Sequence, residues 1–295
     1  MADEQDDDVF AQPNDYLPDP EVERASKLFQ EFGEHKYDKV VAFVDMLGFS
    51  ALTQAYRLDP EHLEEMQRPS AVEFLTASLE DSDLLTQRFV RFHLLIEEAV
   101  RNVRLPADGT SITFSDCAFY AADYLHSVVG YAVDVMHMAL EQRIPVRIGI
   151  GCGEFYVLRI KADFAMLNQD HVVQFLGSGV SRAHAAEQCG LKGTRIFMHP
   201  SVGILYTERW YQDHVGPGQT KYKCRLGLPE HDLPNRSRVT HEINFLGREE
   251  RDHTYWQALQ DLRASSDATQ VAHYDASDAA LNRMRTALGR DPLVR

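Results

Sequence analysis

A chain of 295 residues with 44% hydrophobic content is long enough to bury one elaborated core. Its net charge of −15 leaves no basic stripe to neutralise a phosphate backbone, which excludes a nucleic-acid binder, and no apolar run approaches the roughly 20 residues of a membrane span. Four scattered cysteines without Cys-x-x-Cys spacing, and an acidic N-terminus unlike a secretory leader, point to free thiols and a bacterial-type cytoplasmic location.

Residues 1–23 are rich in Asp, Pro and Gln and read as an acidic mobile arm. Lys36 to Ser50 gives a first strand and its turn: Val40 to Val44 is apolar and largely β-branched, as suits a strand covered on both faces, and Asp45 emerges where it ends. Met46-Leu47-Gly48-Phe49-Ser50 follows as a Gly-containing turn, so the stretch reads as a metal site beside a phosphate cradle. Residues 54–83, with Pro60, Pro69 and many acids, read as an inserted helical excursion. Leu84 to Ile96 repeats apolar residues at helical spacing and should pack on the sheet, with Arg88, Arg91 and His93 on its surface.

Asp108-Gly109 then turns the chain into a hairpin, and Ser111 to Ala122 is a second β-rich run with Asp116 in its middle. Ala122 to Arg143 is another amphipathic helix, stopped before Pro145, and Pro145 to Leu158 returns as a strand. His171 to Leu176 is a short strand, Ser178 to Cys189 a helix, and Thr194 to Met198 a strand near the sheet edge. Further on, Lys221 to Arg225 and Val239 to Phe245 are β segments, and Thr254 to Arg295 is helical with a basic end, suited to packing across a dimer.

The chemistry lies in the two acids. A carboxylate at a strand end is most often a cap or turn former, but Asp45 and Asp116 on adjacent strands could share divalent cations. Hard cations such as Mg²⁺ or Mn²⁺ prefer carboxylate oxygen and keep waters and substrate phosphates as their other ligands. Two protein carboxylates therefore suffice, and the implied reaction is phosphoryl or nucleotidyl transfer. Cys117 and Cys152 read as small core residues, Glu154 as a cap or pair near a strand end, and Arg182 as solvated surface.

Four segments, taken in order, carry a resemblance. Phe43-Val44-Asp45-Met46-Leu47-Gly48-Phe49-Ser50 and Phe114-Ser115-Asp116-Cys117 are similar to the two metal motifs of the class III nucleotide cyclase catalytic domain. Val146-Arg147-Ile148-Gly149-Ile150-Gly151-Cys152-Gly153-Glu154 resembles that family's central strand, and Phe175-Leu176-Gly177-Ser178-Gly179-Val180-Ser181-Arg182-Ala183-His184-Ala185-Ala186 falls where the family begins a helix with G-x-x-V-N-x-A-x-R. The resemblance runs from about Lys36 to Gly203. Family enzymes acting on ATP carry a Lys four residues before the second metal Asp and an Asp before the glycine of the fourth segment; here those positions are Ile112 and Gln174. Ile112 cannot read adenine, whereas Gln174 both donates and accepts and suits uracil or cytosine. In this the chain resembles the bacterial pyrimidine cyclases of antiphage signalling. The family's transition-state Asn and Arg align with Ser181 and Ala185, leaving Arg182 and His184 in the same helical turn as substitutes.

The resemblance implies an α+β, ferredoxin-like or palm-type fold with a βαββαβ core, its antiparallel sheet flanked by helices, working as a head-to-tail homodimer. It implies a catalytic domain over 36–250 and a helical tail over 251–295. Two divalent cations, Mn²⁺ or Mg²⁺, would sit at Asp45, Met46 and Asp116, the triphosphate at Met46 to Ser50, and the base at Ile112 and Gln174, with Ser181 and Arg182 supporting the transition state. Lys221, Lys223 and Arg225 are further candidates for triphosphate contact. The expected reaction converts UTP or CTP to the 3′,5′-cyclic mononucleotide and pyrophosphate, as a messenger for a separate effector. An inactive nucleotide sensor and a purine cyclase with altered base contacts are the alternatives.

Overall fold

Alternation along β1 (Asp38–Met46) sorts the side chains onto two faces. Val40, Ala42, Val44 and Met46 enter the main core, while Val41 and Phe43 enter a second cluster on the opposite face. The computed structural model describes residues 38–55, 84–103, 109–160, 172–202, 225–233 and 236–294. The expected arm over 1–23, nearly all of the excursion over 54–83, Asp108, Lys221 and Lys223 lie outside the described residues, as does the side chain of Arg225.

β1 is flanked on both sides by antiparallel partners, β3 (Cys117–Ala122) and β4 (Val146–Glu154). The short helix α1 (Phe49–Ala55) follows β1, and α2 (Leu84–Asn102) precedes β2 (Thr110–Phe114), which closes a hairpin with β3. α3 (Leu125–Glu141) then leads to β4. The order β2-β3-β1-β4, with every neighbouring pair antiparallel, is the expected βαββαβ arrangement, and helices flank its mostly antiparallel sheet.

Two expectations are corrected. The stretch from Pro145 to Leu158 is not one strand: the chain breaks at Phe155, and β5 (Tyr156–Ile160) leaves the main sheet to pair with β6 (Val172–Leu176). Gly153, at φ +149°, turns the backbone there, and the buried ring of Phe155 anchors the break in the second cluster. Nor does β7 (Ile196–Met198) lie near the edge. It pairs parallel with β4 and antiparallel with β9 (His241–Ile243), and β8 (Arg225–Gly227) extends the sheet beyond β9 to seven strands.

α4 (Ser178–Glu187) lies directly on β4, and Gly149 and Gly151 make that approach possible. A Cβ on Gly151 would stand 2.7 Å from the carbonyl carbon of Arg182, and one on Gly149 would stand 2.5 Å from the amide of Glu187. The C-terminal helices α5 (Glu249–Ala264) and α6 (Ala268–Thr286) bury Tyr255, Leu259, Leu262, Tyr274, Leu281 and Met284 in the main core of their own chain. Among the described residues no helix is long and apolar enough to cross a membrane.

Candidate functional site

Asp45 is the next-to-last residue of β1, and its register places it opposite Cys117 on β3 and Arg147 on β4. Asp116 stands in the tight turn joining β2 to β3, and the amide of Met46 donates to its carbonyl at 2.9 Å, tying that turn to the end of β1. Ligand atoms of Asp45, Asp116 and Cys117 consequently lie within 4.8 Å of one another. Cys117 is in part the core residue expected from sequence: it packs half-buried against the second cluster, with Sγ donating to Asp45 Oδ1 at 3.4 Å and to Asp116 Oδ1 at 3.7 Å. Cross-strand register sets it at the margin of that cluster beside the acids, since its side chain shares the face of Asp45.

Burial pushes the Asp45 carboxyl up to about 7, and the nearby Glu187 charge pushes the same way; the Cys117 hydrogen bond and Arg147 oppose this, while Asp116 adds a smaller upward push. The Cys117 thiol is also raised, first by burial and then by both carboxylates. Sequence reasoning missed Glu187. Its side chain is fully buried on the last turn of α4, where Arg147 Nε donates to Oε1 at 2.6 Å, and Arg147 Nη1 donates to the Leu191 carbonyl at 3.2 Å. An Arg inside the β4 motif and an acid 40 residues later were the only signals, and register alone joins them.

Beyond Asp45 the turn is partly committed. The Met46 side chain is buried and its amide is bonded to Asp116, while the Leu47 amide donates to the Pro145 carbonyl at 2.8 Å. Gly48, at φ +80°, then opens α1, whose leading amides have no intrahelical partner. Gln270 of α6 reaches this turn, its Nε2 lying 3.1 Å from where a Gly48 Cβ would stand.

His93 also departs from expectation. It is half-buried rather than on the surface, and its Nε2 lies 2.8 Å from the Ser115 carbonyl, one residue before Asp116.

Ile112 packs at the margin of the second cluster with Phe119 and Phe175. Gln174 pairs through its backbone with Leu158 on β5, and its side chain lies outside the described residues. Ser181 is exposed, its Oγ 3.5 Å from the Gly177 carbonyl. Arg182 is half-buried rather than solvated, with Nη1 donating to the Cys152 carbonyl at 2.7 Å. Cys152 lies five positions along β4 from Arg147, the partner of Asp45, so roughly 17 Å of strand separates the two ends. One copy of the chain does not bring Ser181 or Arg182 to the acids. His184 is exposed and stands edge-on to Phe43 at 5.1 Å. Glu154 is exposed, and its amide donates to Ser178 Oγ at 3.1 Å, which joins the end of β4 to the start of α4.

The two carboxylates fit a hard divalent cation, which prefers oxygen, whereas the Cys117 thiol, raised by burial and by both acids, is a soft donor outside that set. The Asp45 charge, disfavoured by burial and by neighbouring acids, is one that a bound cation would stabilise.

No protein-family model matches the chain, and no curated protein matches it. Among solved structures it is similar to an adenylate cyclase from Trypanosoma brucei in its monomeric state, with 11% identity, 71% of this chain and 89% of that one covered, and a TM-score of 0.42. It is similar to a double mutant of the guanylyl cyclase domain of the RhoGC fusion protein from Blastocladiella emersonii, with 14% identity, coverage of 72% and 96%, and a TM-score of 0.41. A class III adenylyl cyclase-like ATP-binding protein from Pseudomonas aeruginosa gives 10% identity, coverage of 90% and 52%, and a TM-score of 0.35. At that level of likeness, the chemistry rests on the chain's own side chains.

Proposed function

We propose that the protein is a nucleotide cyclase acting on a pyrimidine nucleoside triphosphate, UTP or CTP. The observation that supports this best is the convergence of Asp45 and Asp116, whose ligand oxygens lie within 4.8 Å of each other where the end of β1 meets the β2–β3 turn. Divalent metal, when bound, supplies neutralisation of phosphate charge and a lowered pKa for the attacking hydroxyl.

The chain's own contribution is to hold and align. Asp45 and Asp116 would hold the cation, and the amides of Gly48, Phe49 and Ser50 would receive the triphosphate. In the reaction the ribose 3′-oxygen bonds to the α-phosphorus, the bond from that phosphorus to the bridging oxygen breaks, and pyrophosphate leaves. The hydroxyl proton passes to solvent. Positioning of the two reacting atoms supplies much of the rate.

Ser181 and Arg182, on the part of α4 that lies against the far end of β4, are too distant to act on their own copy's acids, which supports a head-to-tail homodimer with two sites built across the interface. In that arrangement Ile112 and Gln174 read the base, Gln174 pairing with uracil or cytosine through its amide. The cyclic mononucleotide would act as a messenger for a separate effector in antiphage defence, in the cytoplasm.

A second reading, a nucleotide-binding sensor without turnover, draws on the engagement of Arg182 with Cys152. One experiment separates the two: incubation with ATP, GTP, CTP and UTP separately, in Mn²⁺ and in Mg²⁺, followed by chromatographic product analysis, with Asp45→Asn as control. A cyclic pyrimidine nucleotide lost in the variant supports the cyclase. Metal-dependent binding with no product supports the sensor, and a cyclic purine product overturns the base assignment.

A further inference from the structure

Asp45 is fixed by a strand paired on both sides, but Asp116 sits on a turn, so the spacing between the two carboxylates depends on what holds that turn. Two anchors are visible. One is the bond from the Met46 amide to the Asp116 carbonyl at 2.9 Å. The other is the His93 imidazole of α2, whose Nε2 lies 2.8 Å from the Ser115 carbonyl. A carbonyl oxygen only accepts, so Nε2 carries the hydrogen. Ser115 is the first residue of the two-residue turn between Phe114 and Cys117 and takes φ +49°, as such hairpin turns require.

The same imidazole is linked through Phe89 to the turn after Asp45. Its ring centroid is 4.4 Å from Phe89, one helical turn earlier on the same face of α2, and Phe89 is 6.0 Å from Phe49. Phe49 opens α1 directly after Gly48. One face of α2 therefore touches both the turn that presents Asp116 and the turn that follows Asp45.

From this we infer that His93 is a positioning residue for the two-carboxylate centre: its hydrogen bond to Ser115 and its tilted ring contact with Phe89 set the distance between the Asp116 turn and the Phe49 turn. The inference rests on the proposed metal site. His93 touches neither ligand side chain nor substrate and acts through the backbone of the residue before Asp116. Groups of this kind, hydrogen-bonded behind a metal ligand, cost 10–100-fold in metal affinity when lost.

The test is a titration of the full-length protein with Mn²⁺ alone, followed by electron paramagnetic resonance of the free ion, beside thermal melts and product kinetics. His93→Phe keeps a ring on Phe89 and removes the donor; His93→Gln keeps a donor. The expected result is at least about tenfold weaker Mn²⁺ binding in His93→Phe, recovery to within about threefold in His93→Gln, and a fall in kcat larger than any rise in KM for nucleotide. Equal affinity in His93→Phe and wild type, while Asp45→Asn abolishes binding, overturns the inference and leaves the metal site standing. Absence of Mn²⁺ binding in the wild type overturns both. Should His93→Phe fail to fold, ring ¹⁵N shifts of wild-type His93 decide: displacement on Mg²⁺ addition that is lost in Asp45→Asn supports the role, and unmoved resonances overturn it.

Discussion

Arg182 Nη1 donates to the Cys152 carbonyl at 2.7 Å, so the cation next to Ser181 is anchored on β4. The same guanidinium acts on His199, which burial first and Arg182 second push down to about 4. Arg182→Ala should let His199 titrate higher, yet still below 6.5, because burial remains. A depressed histidine contributes stability that is present above its unfolded value and lost as pH falls through its folded one. The variant should narrow that acid window from below while losing about 1 kcal/mol of hydrogen bonding at neutral pH. Histidine proton shifts followed from pH 3.5 to 7.5, with melts at matching pH, check both parts; an unmoved His199 refutes the first.

Asp45 titrates in the opposite sense. Its folded value of about 7 lies above its ordinary 3.8, so its contribution to stability is present below pH 3.8 and lost as pH rises through about 7. The metal-free protein should therefore lose stability across that interval, and Asp45→Asn should flatten the profile. Cation binding must displace the proton below pH 7, so Mn²⁺ affinity should rise by up to about tenfold per unit toward neutrality and level off above it. Calorimetric titrations at pH 6, 7 and 8 test this; an affinity flat across the three values sinks it.

Which features could be read from the chain follows from how local their causes are. The unbroken apolar run of Val40 to Val44 and the Asp that follows declare a strand and its end within one window, whereas Asp116, expected in the middle of a β run, stands in the two-residue turn that splits that run into β2 and β3. Glu187 and His93 could not be found this way. Glu187 looks like any polar residue on a helix until β4 passes beneath it with Arg147 facing up, and His93 becomes a positioning candidate only when the Ser115 turn folds onto α2. Cys117 packs on the second cluster as a small thiol does, and only its register with Asp45 also sets it between two carboxylates.

Glu187→Gln separates two effects that act on one residue. The Glu187 charge raises the Asp45 carboxyl, so its removal should bring Asp45 down toward the usual carboxylate range and ease metal binding at pH 6. The Arg147 side chain, 12% exposed, would meanwhile lose its partner, and an uncompensated buried charge costs about 3–5 kcal/mol. A less stable protein with stronger Mn²⁺ binding at pH 6 is the expected outcome. Weaker binding in a variant that remains folded would mean that Glu187 acts by holding Arg147 in place rather than through its charge.

The contact between α4 and β4 gives the last prediction, because it depends on the lack of a side chain. At Gly151 an added methyl would meet the Arg182 backbone at 2.7 Å, where the obstacle is main chain and cannot rotate away. Gly247 offers a control, since a Cβ there meets nothing within 4 Å. Gly151→Ala should destabilise the protein by about 3 kcal/mol, near the upper end for overpacking, and Gly247→Ala should stay within about 0.5 kcal/mol of wild type. Forcing α4 away from β4 also moves Glu187 relative to Arg147, so Gly151→Ala should lower the Asp45 carboxyl as Glu187→Gln does, though less. Denaturant unfolding of the three proteins gives the energies. Equal stabilities would mean that α4 can lift from the sheet without loss, and that the glycines of β4 are not what seats it.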